Sequence, residues 1–139
     1  MYIQKPLAET KPETLKKFML DHSFAALIVT GEQGMEANHL PFEWVDDGSE
    51  LGLLRCHVAI RNPAWEIAMG NPNALVMFTG PHGYVSPDLH PASKTHGKVA
   101  PSWNYAAVHA YGEVSVPSNK ELISIEQSTL YLTLEVFPE

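Results

Sequence analysis

Short apolar runs separated by turn signals follow one another along most of the chain, and this pattern predicts strands more often than helices. The predicted strands cover residues 24–30, 35–44, 51–58, 74–79, 103–116 and 129–137, with a shorter one near 83–86. The Gly-rich turn at 31–34 predicts a hairpin, and Pro41 predicts that its second strand bulges or lies at a sheet edge. The unbroken apolar run at 74–79 indicates a central strand.

Helices are predicted over residues 10–22, 62–70 and 118–127. Thr10 and Glu13 match a capping box, and Asn62 followed by Pro63 matches an N-cap and a first-turn proline. Residues 80–101 are too rich in proline and glycine for a long element, and long ordered loops are often functional. A mostly β fold, an antiparallel barrel with short peripheral helices, is therefore favoured over a parallel βαβ fold.

The length and charge of the chain narrow the classes of partner. A chain of 139 residues suits a single domain, 1–139, and its net charge of −7 disfavours direct DNA binding. Residues 51–112 nevertheless carry two acids and four bases, a net charge of +2, against −9 for the remainder. Such a zone suits a small anion such as a phosphate, and chance clustering is an equal alternative.

Compartment and reaction class are constrained by what the chain lacks. The single cysteine, Cys56, excludes a disulfide within the monomer and favours the cytoplasm, and the absence of long apolar runs disfavours a membrane span. The seven histidines form no paired metal-ligand spacing, so no metal site is predicted. No G-x-S-x-G nucleophile elbow is present. On a strand, Cys56 would point into the core, on the face opposite to Arg55 and His57, so these two side chains would not activate its thiol.

Two groups of polar residues are candidates for ligand binding. Arg55 and His57 share a strand face, and Arg61 follows at the start of a helix, so a phosphate could be held there by guanidinium forks. Surface salt bridges are the alternative for both arginines. Asn38, His39 and Leu40 precede Pro41 on a predicted edge strand, whose open backbone groups can bond a flat heterocycle or simply face solvent.

Trp103, Asn104 and Tyr105 place two large aromatic side chains around an amide. Such a cluster can stack on a ring, seal an interface or pack in the core, and the sequence leaves these alternatives open.

Five blocks of sequence together resemble the PaiB-type FMN-binding negative transcriptional regulators. They are MYIQKPLAET at 1–10, ANHLPF at 37–42, RCHVAIRNPAW at 55–65, FTGPHGYVSP at 78–87 and KVAPSWNYAAVHAYG at 98–112. The resemblance implies an FMN-binding split β-barrel related to the pyridoxamine phosphate oxidases, and a homodimer with flavin sites across its interface. Residues from about 117 onward match the family's pattern poorly.

The resemblance also assigns roles to the candidate residues. Arg55, His57 and Arg61 become candidates for the flavin phosphate, and Asn38, His39 and Leu40 for the edge of the ring. Lys94 with Trp103, Asn104 and Tyr105 would complete the pocket from the same or the partner subunit. The implied function is an FMN-binding transcriptional regulator. The alternatives are an FMN-dependent oxidoreductase of small substrates, with His39 or His82 as proton donor, and a flavin-free sensing dimer.

Overall fold

Seven strands form one antiparallel sheet in the part of the chain that the computed structural model describes, residues 1–89, 99–116 and 129–136. They are β1 (Phe24–Gly31), β2 (Gly34–Pro41), β3 (Glu43–Val45), β4 (Leu53–Ala59), β5 (Asn73–Val85), β6 (Ser102–Ser115) and β7 (Thr129–Val136). Their order across the sheet is β2-β1-β5-β6-β7-β4-β3. The predicted fold class, mostly antiparallel β with short helices, is confirmed.

The two edge strands of this sheet are consecutive in the chain. Only Phe42 separates β2 from β3, and its N–H donates to the carbonyl of Ser23 over 2.8 Å. The chain pairs with β1 as far as Pro41 and with β4 from Glu43 onward. The sheet therefore curls until its two edges meet at Phe42. Proline lacks the N–H that a continuous ladder needs, which agrees with the edge position predicted for Pro41.

The concave face of the curled sheet is the hydrophobic core. Alternate residues of every long strand point inward, as the two-residue period of a strand requires. The largest fully buried side chains are Phe78, Leu27, Leu54, Leu132, Leu134, Val29, Val58 and Val76. The outward-facing residues of the same strands are therefore the ones available for ligands and partners.

Helix α1 (Pro12–Asp21) begins later than the sequence predicts. Pro12 occupies the first turn as predicted, but Lys11 is the N-cap residue and makes no side-chain capping bond, so the Thr10–Glu13 capping box is wrong. Instead, a Glu9 carboxylate oxygen accepts the N–H groups of Thr10 and Lys11, both over 2.9 Å. Thr10 lies one residue too early in the chain to cap a helix that starts at Pro12.

Helix α2 (Ala64–Gly70) forms as predicted between β4 and β5. Pro63 already has helical backbone angles, and the Asn62 Oδ1 accepts the N–H of Ala64 over 2.9 Å. The helix begins at Ala64 with Pro63 at its N-cap position, so Asn62 lies one residue before the N-cap instead of at the N-cap as predicted, but its Oδ1 satisfies a first-turn N–H as a capping side chain does. Ala64 and Ala68 are buried against the core, so this short helix covers part of the barrel.

Strand β5 is longer than its apolar run indicates, since it continues through Gly80 and Pro81 to Val85. The pairing with β6 shifts register between Thr79 and His82, and this irregularity accommodates a proline that has no N–H to donate. A Cβ at Gly80 would lie 2.6 Å from Phe18 Cζ, so the Phe18 ring of α1 would have to shift if residue 80 carried a side chain. The prediction that residues 80–82 lie in a loop is therefore wrong, whereas the shorter strand predicted near 83–86 forms as the end of β5.

Two short 3₁₀ helices, Lys5–Leu7 and Pro87–Leu89, complete the described elements. The helix predicted over residues 118–127 lies outside the described residues. Among the residues that are described, no helix has the length and apolar character to cross a membrane.

Candidate functional site

Strand β4 divides its polar and apolar residues between its two faces. Cys56 is only 4% exposed in the core, whereas Arg55 and His57 point outward on either side of it in the sequence. Burial raises the pKa of the Cys56 thiol to about 12, so the thiolate needed for nucleophilic chemistry is disfavoured at neutral pH. The predicted separation of Cys56 from the Arg55 and His57 pair is confirmed.

Arg55 forms an ion pair with Glu43, its neighbour on the adjacent strand β3. The Arg55 Nε and Nη2 both donate to the Oε2 of Glu43, over 3.0 and 2.6 Å. The Arg55 side chain is 37% exposed, so solvent screens the pair and its contribution to stability is small. The surface salt bridge that the sequence left open as an alternative for Arg55 is therefore present.

A cleft of about 210 Å³ lies beside this ion pair, where the chain passes from β2 to β3. It is lined by Pro41, Phe42, Glu43, Arg55, Cys56 and His57. Sites for drug-sized ligands usually have volumes of about 300–1,000 Å³. The cleft can therefore take a group of the size of a phosphate, but a three-ring heterocycle would have to lie outside it.

Four polar residues lie in register across four strands and form what we call the polar row: Ser115, Thr133, Arg55 and Glu43. The hydroxyls of Ser115 and Thr133 are 2.6 Å apart and share a hydrogen bond. Phosphate oxygens accept hydrogen bonds both from neutral hydroxyl groups and from a charged guanidinium, and the polar row has both kinds of donor. Ser115, Thr133 and Glu43 could not be found from the sequence, because strand periodicity gives the face of a residue but not its cross-strand partners.

The predicted group Asn38, His39 and Leu40 is divided between the two faces of β2. Asn38 and Leu40 are half-buried, and His39 is exposed on the opposite face, where its ring lies 6.1 Å from that of Phe24. In the sheet β2 pairs only with β1, so the backbone on its other side is unpaired with any described strand. The backbone can still meet a heterocycle, but the three side chains do not form one contact surface.

Asn38 instead links β2 to the turn that precedes α2. The Asn62 Nδ2 donates to the Asn38 Oδ1 over 2.7 Å, and the Asn38 Nδ2 donates to Glu36 over 2.9 Å. Arg61 is exposed in the same turn and is not among the residues that line the cleft. The structure thus brings Asn38 to the turn of Arg61, and Arg55 with His57 to the cleft, as two separate groups.

Trp103, Asn104 and Tyr105 lie on an arm where β6 pairs with the far end of β5. Trp103 and Tyr105 are 54% and 58% exposed, so they are not core residues. The Trp103 ring stacks with His82 at a centroid distance of 5.8 Å, and its Nε1 donates to the His82 Nδ1 over 3.3 Å. Asn104 alternates to the other face of β6. The arm presents an exposed aromatic surface, and Lys94 lies outside the described residues.

A family match and two relatives place the chain in one protein family. Residues 1–135 match the family described as "Putative FMN-binding domain". The Bacillus subtilis protein named "Protease synthase and sporulation protein PAI 2" is 37% identical over 135 residues, which cover 95% of this chain and 60% of the relative. An uncharacterised Emericella nidulans protein is 30% identical over 142 residues, 84% of this chain and 57% of that protein. The chain thus spans less than two thirds of these relatives.

Solved structures show the same fold at low sequence identity. A Listeria innocua protein named "Putative Pyridoxamine 5'-phosphate oxidase" has a TM-score of 0.60 at 14% identity, over 90% of this chain and 92% of its own. An FAD and heme binding protein of Mycobacterium smegmatis has a TM-score of 0.66 at 17% identity, over 93% and 68% of the two chains. With the family match over residues 1–135, these findings establish that the chain belongs to the PaiB-like FMN-binding family and has its split-barrel fold.

Proposed function

We propose that this protein binds FMN as a homodimer in the cytoplasm and acts as a flavin-dependent regulatory protein. The observation that carries the proposal is the cleft beside Arg55 and His57, which borders the polar row and matches a phosphate in size and chemistry. Membership of an FMN-binding family supports FMN as the ligand that brings this phosphate. When bound, FMN would supply a redox-active ring.

The residues of the site suit the two ends of FMN differently. Arg55 and His57 would hold the phosphate in the cleft, and Thr133, the neighbour of Arg55 in the polar row, is the nearest further donor. A cleft of about 210 Å³ cannot also enclose the ring, so the ring would lie along the open backbone of β2 at residues 38–40. Arg61, in the turn joined to Asn38, is a second candidate cation for the phosphate.

The outward face of the sheet supports the dimer. Ala37, Ile28, Leu75 and Tyr111 lie in register across β2, β1, β5 and β6 and form a mostly apolar row on this half of the face, in contrast to the polar row on the other half. Phe24 and Met35 on the same half are largely exposed. An apolar sheet face is stable when a second layer covers it, and a second copy of the chain would provide that layer.

In such a dimer the exposed aromatic arm of one copy could cover the flavin ring held by the other. Trp103 and Tyr105 on one face of β6 offer flat surfaces of suitable chemistry for stacking. A shared site would compensate for the small cleft of a single chain. The regulatory role itself is supported by the family resemblance and by the sporulation relative, of which this chain spans 60%.

A second candidate function, an FMN-dependent oxidoreductase, is favoured by the hydrogen bond between Trp103 and His82. Since the His82 Nδ1 accepts the Trp103 N–H, the proton of the neutral imidazole is carried by Nε2. His82 is exposed on the aromatic arm, and its Nε2–H could donate a hydrogen bond to a substrate bound at the ring.

The test of flavin binding is the absorption spectrum of the purified protein together with mass spectrometry of any small molecule that co-purifies. Flavin absorbance and the mass of FMN support both functions, and the absence of FMN binding after added FMN would refute both. Oxidation of reduced nicotinamide with turnover would favour the oxidoreductase, whereas stable flavin without turnover would favour the regulator.

A further inference from the structure

Glu43 is placed where an anionic ligand of Arg55 would have to bind. Its Oε2 receives both the Nε and the Nη2 donors of Arg55, the same fork that binds a phosphate or carboxylate group of a ligand. Glu43 also lines the cleft itself, beside Arg55 and His57. The guanidinium is thus already neutralised by a carboxylate of the same chain.

We infer that Glu43 is an internal competitor for Arg55 and sets the affinity and charge selectivity of the cleft for phosphate groups. This inference rests on the proposed function in one respect, namely that the cleft receives the phosphate end of a ligand. A ligand phosphate must displace the Glu43 carboxylate from the Nε–Nη2 edge or bind Arg55 with that carboxylate nearby. Anions that contact only the cleft would therefore bind weakly, and a ligand with further contacts outside the cleft would be favoured.

The geometry makes such a displacement feasible. The Glu43 side chain is 61% exposed, so it can rotate into solvent without losing buried contacts. Screened ion pairs of this kind contribute little to stability, and the pair can therefore open at a small cost. Thr133 lies on the other side of Arg55 in the polar row. Its hydroxyl can donate a hydrogen bond to a phosphate oxygen once the Glu43 side chain has rotated away.

The experiment compares the binding of inorganic phosphate to the parent protein and to Glu43→Gln by isothermal titration at constant ionic strength. Removing the carboxylate should tighten phosphate binding about fivefold. This is the order of magnitude expected when one exposed carboxylate no longer pairs with Arg55 and no longer repels the phosphate. Glu113→Gln is the matched control. Glu113 is exposed on the same outward face and lies opposite Glu135 rather than Arg55, so its loss should leave phosphate affinity within about twofold.

The double variant Arg55→Ala with Glu43→Gln separates competition from general electrostatics. If Glu43 competes for Arg55, the gain from Glu43→Gln disappears when Arg55 is absent. An equal gain in both backgrounds, or no gain in either, would overturn the inference.

The same variants distinguish failure of this inference from failure of the proposed function. FMN binding that is unaffected by both Arg55→Ala and Glu43→Gln would reject the role of Glu43 while leaving a flavin protein. An Arg55-dependent gain in phosphate affinity, in a protein that binds no FMN at any concentration tested, would support the role of Glu43 and reject FMN as the ligand.

Discussion

The Nδ2 of Asn62 lies 2.7 Å from the Oδ1 of Asn38, across 24 positions of the sequence. The same Asn62 side chain accepts the N–H of Ala64, so one residue both starts α2 and fastens it to the edge strand β2. The β2 backbone, proposed to meet the flavin ring, and the turn that carries the second candidate cation Arg61 are thereby held in a fixed relation.

We expect Asn62→Ala to lower the free energy of unfolding by about 1–3 kcal/mol, because both the cap and the link to Asn38 are lost. Asn62→Ser keeps a side-chain oxygen suited to capping Ala64 and loses the amide donor to Asn38 without adding a charge, so it should cost less than Asn62→Ala. Urea unfolding followed by fluorescence measures both values. Equal stability of Asn62→Ala and the parent would show that neither bond matters.

The Arg55→Ala variant should weaken FMN binding about tenfold or more, because a charge-assisted fork to the phosphate is removed. Lys17→Ala is the control, since Lys17 is an exposed cation paired with Asp21 on α1. Fluorescence titration with FMN measures both affinities. Titration curves that coincide for Arg55→Ala and the parent would remove Arg55 from the site. The same measurement on Arg61→Ala shows whether the second arginine contributes.

We expect a stability loss in alkali that depends on Cys56. Its pKa is raised to about 12 in the folded protein from an ordinary value of 9.0, so folding favours the protonated thiol. This contribution is fully present below about pH 9 and is lost as the pH rises from there toward 12, with a slope of at most about 1.4 kcal/mol per unit. Cys56→Ala should lack that slope when unfolding free energies are compared at pH 8 and 10. Parallel pH profiles would contradict the prediction.

Gly80→Ala should destabilise the protein by about 1–3 kcal/mol, because the new methyl group would collide with the Phe18 ring of α1. Gly83→Ala on the same strand is the matched control, since a Cβ there meets nothing within 4 Å. Thermal unfolding should separate the two variants by several degrees. Similar melting temperatures would mean that α1 moves aside at little cost.

The proposed dimer predicts a mass twice that of the chain in light scattering at micromolar concentration. Phe24→Glu places a charge on the apolar half of the outward face and should shift the population toward monomer. Leu20→Glu is the control, because Leu20 is similarly exposed but belongs to α1 rather than to the sheet. A parent protein that elutes and scatters as a monomer would reject the dimer.

The sequence predicted the strands, the hairpin at Gly31–Gly34 and the outward pairing of Arg55 with His57, because these follow from local turn chemistry and period-two alternation. It missed the polar row, because Thr133 and Glu43 meet Arg55 only through the registers of three strands. It also ended β5 too early. Gly80 and Pro81 are usually strand breakers, but here they lie at a register shift, and β5 pairs with β6 on both sides of it. In both missed features, strand pairing in the folded protein outweighed the local preference of the sequence.

The single residue between β2 and β3 has a consequence for natural and engineered variation of this fold. Residues alternate without interruption through Phe42, so Leu40 and Phe42 face the interior while Glu43 faces outward. Inserting or deleting one residue there would invert the parity of β3 relative to β2, turning Glu43 inward and Trp44 out to solvent. The junction should therefore tolerate substitutions of matching size far better than any change in its length.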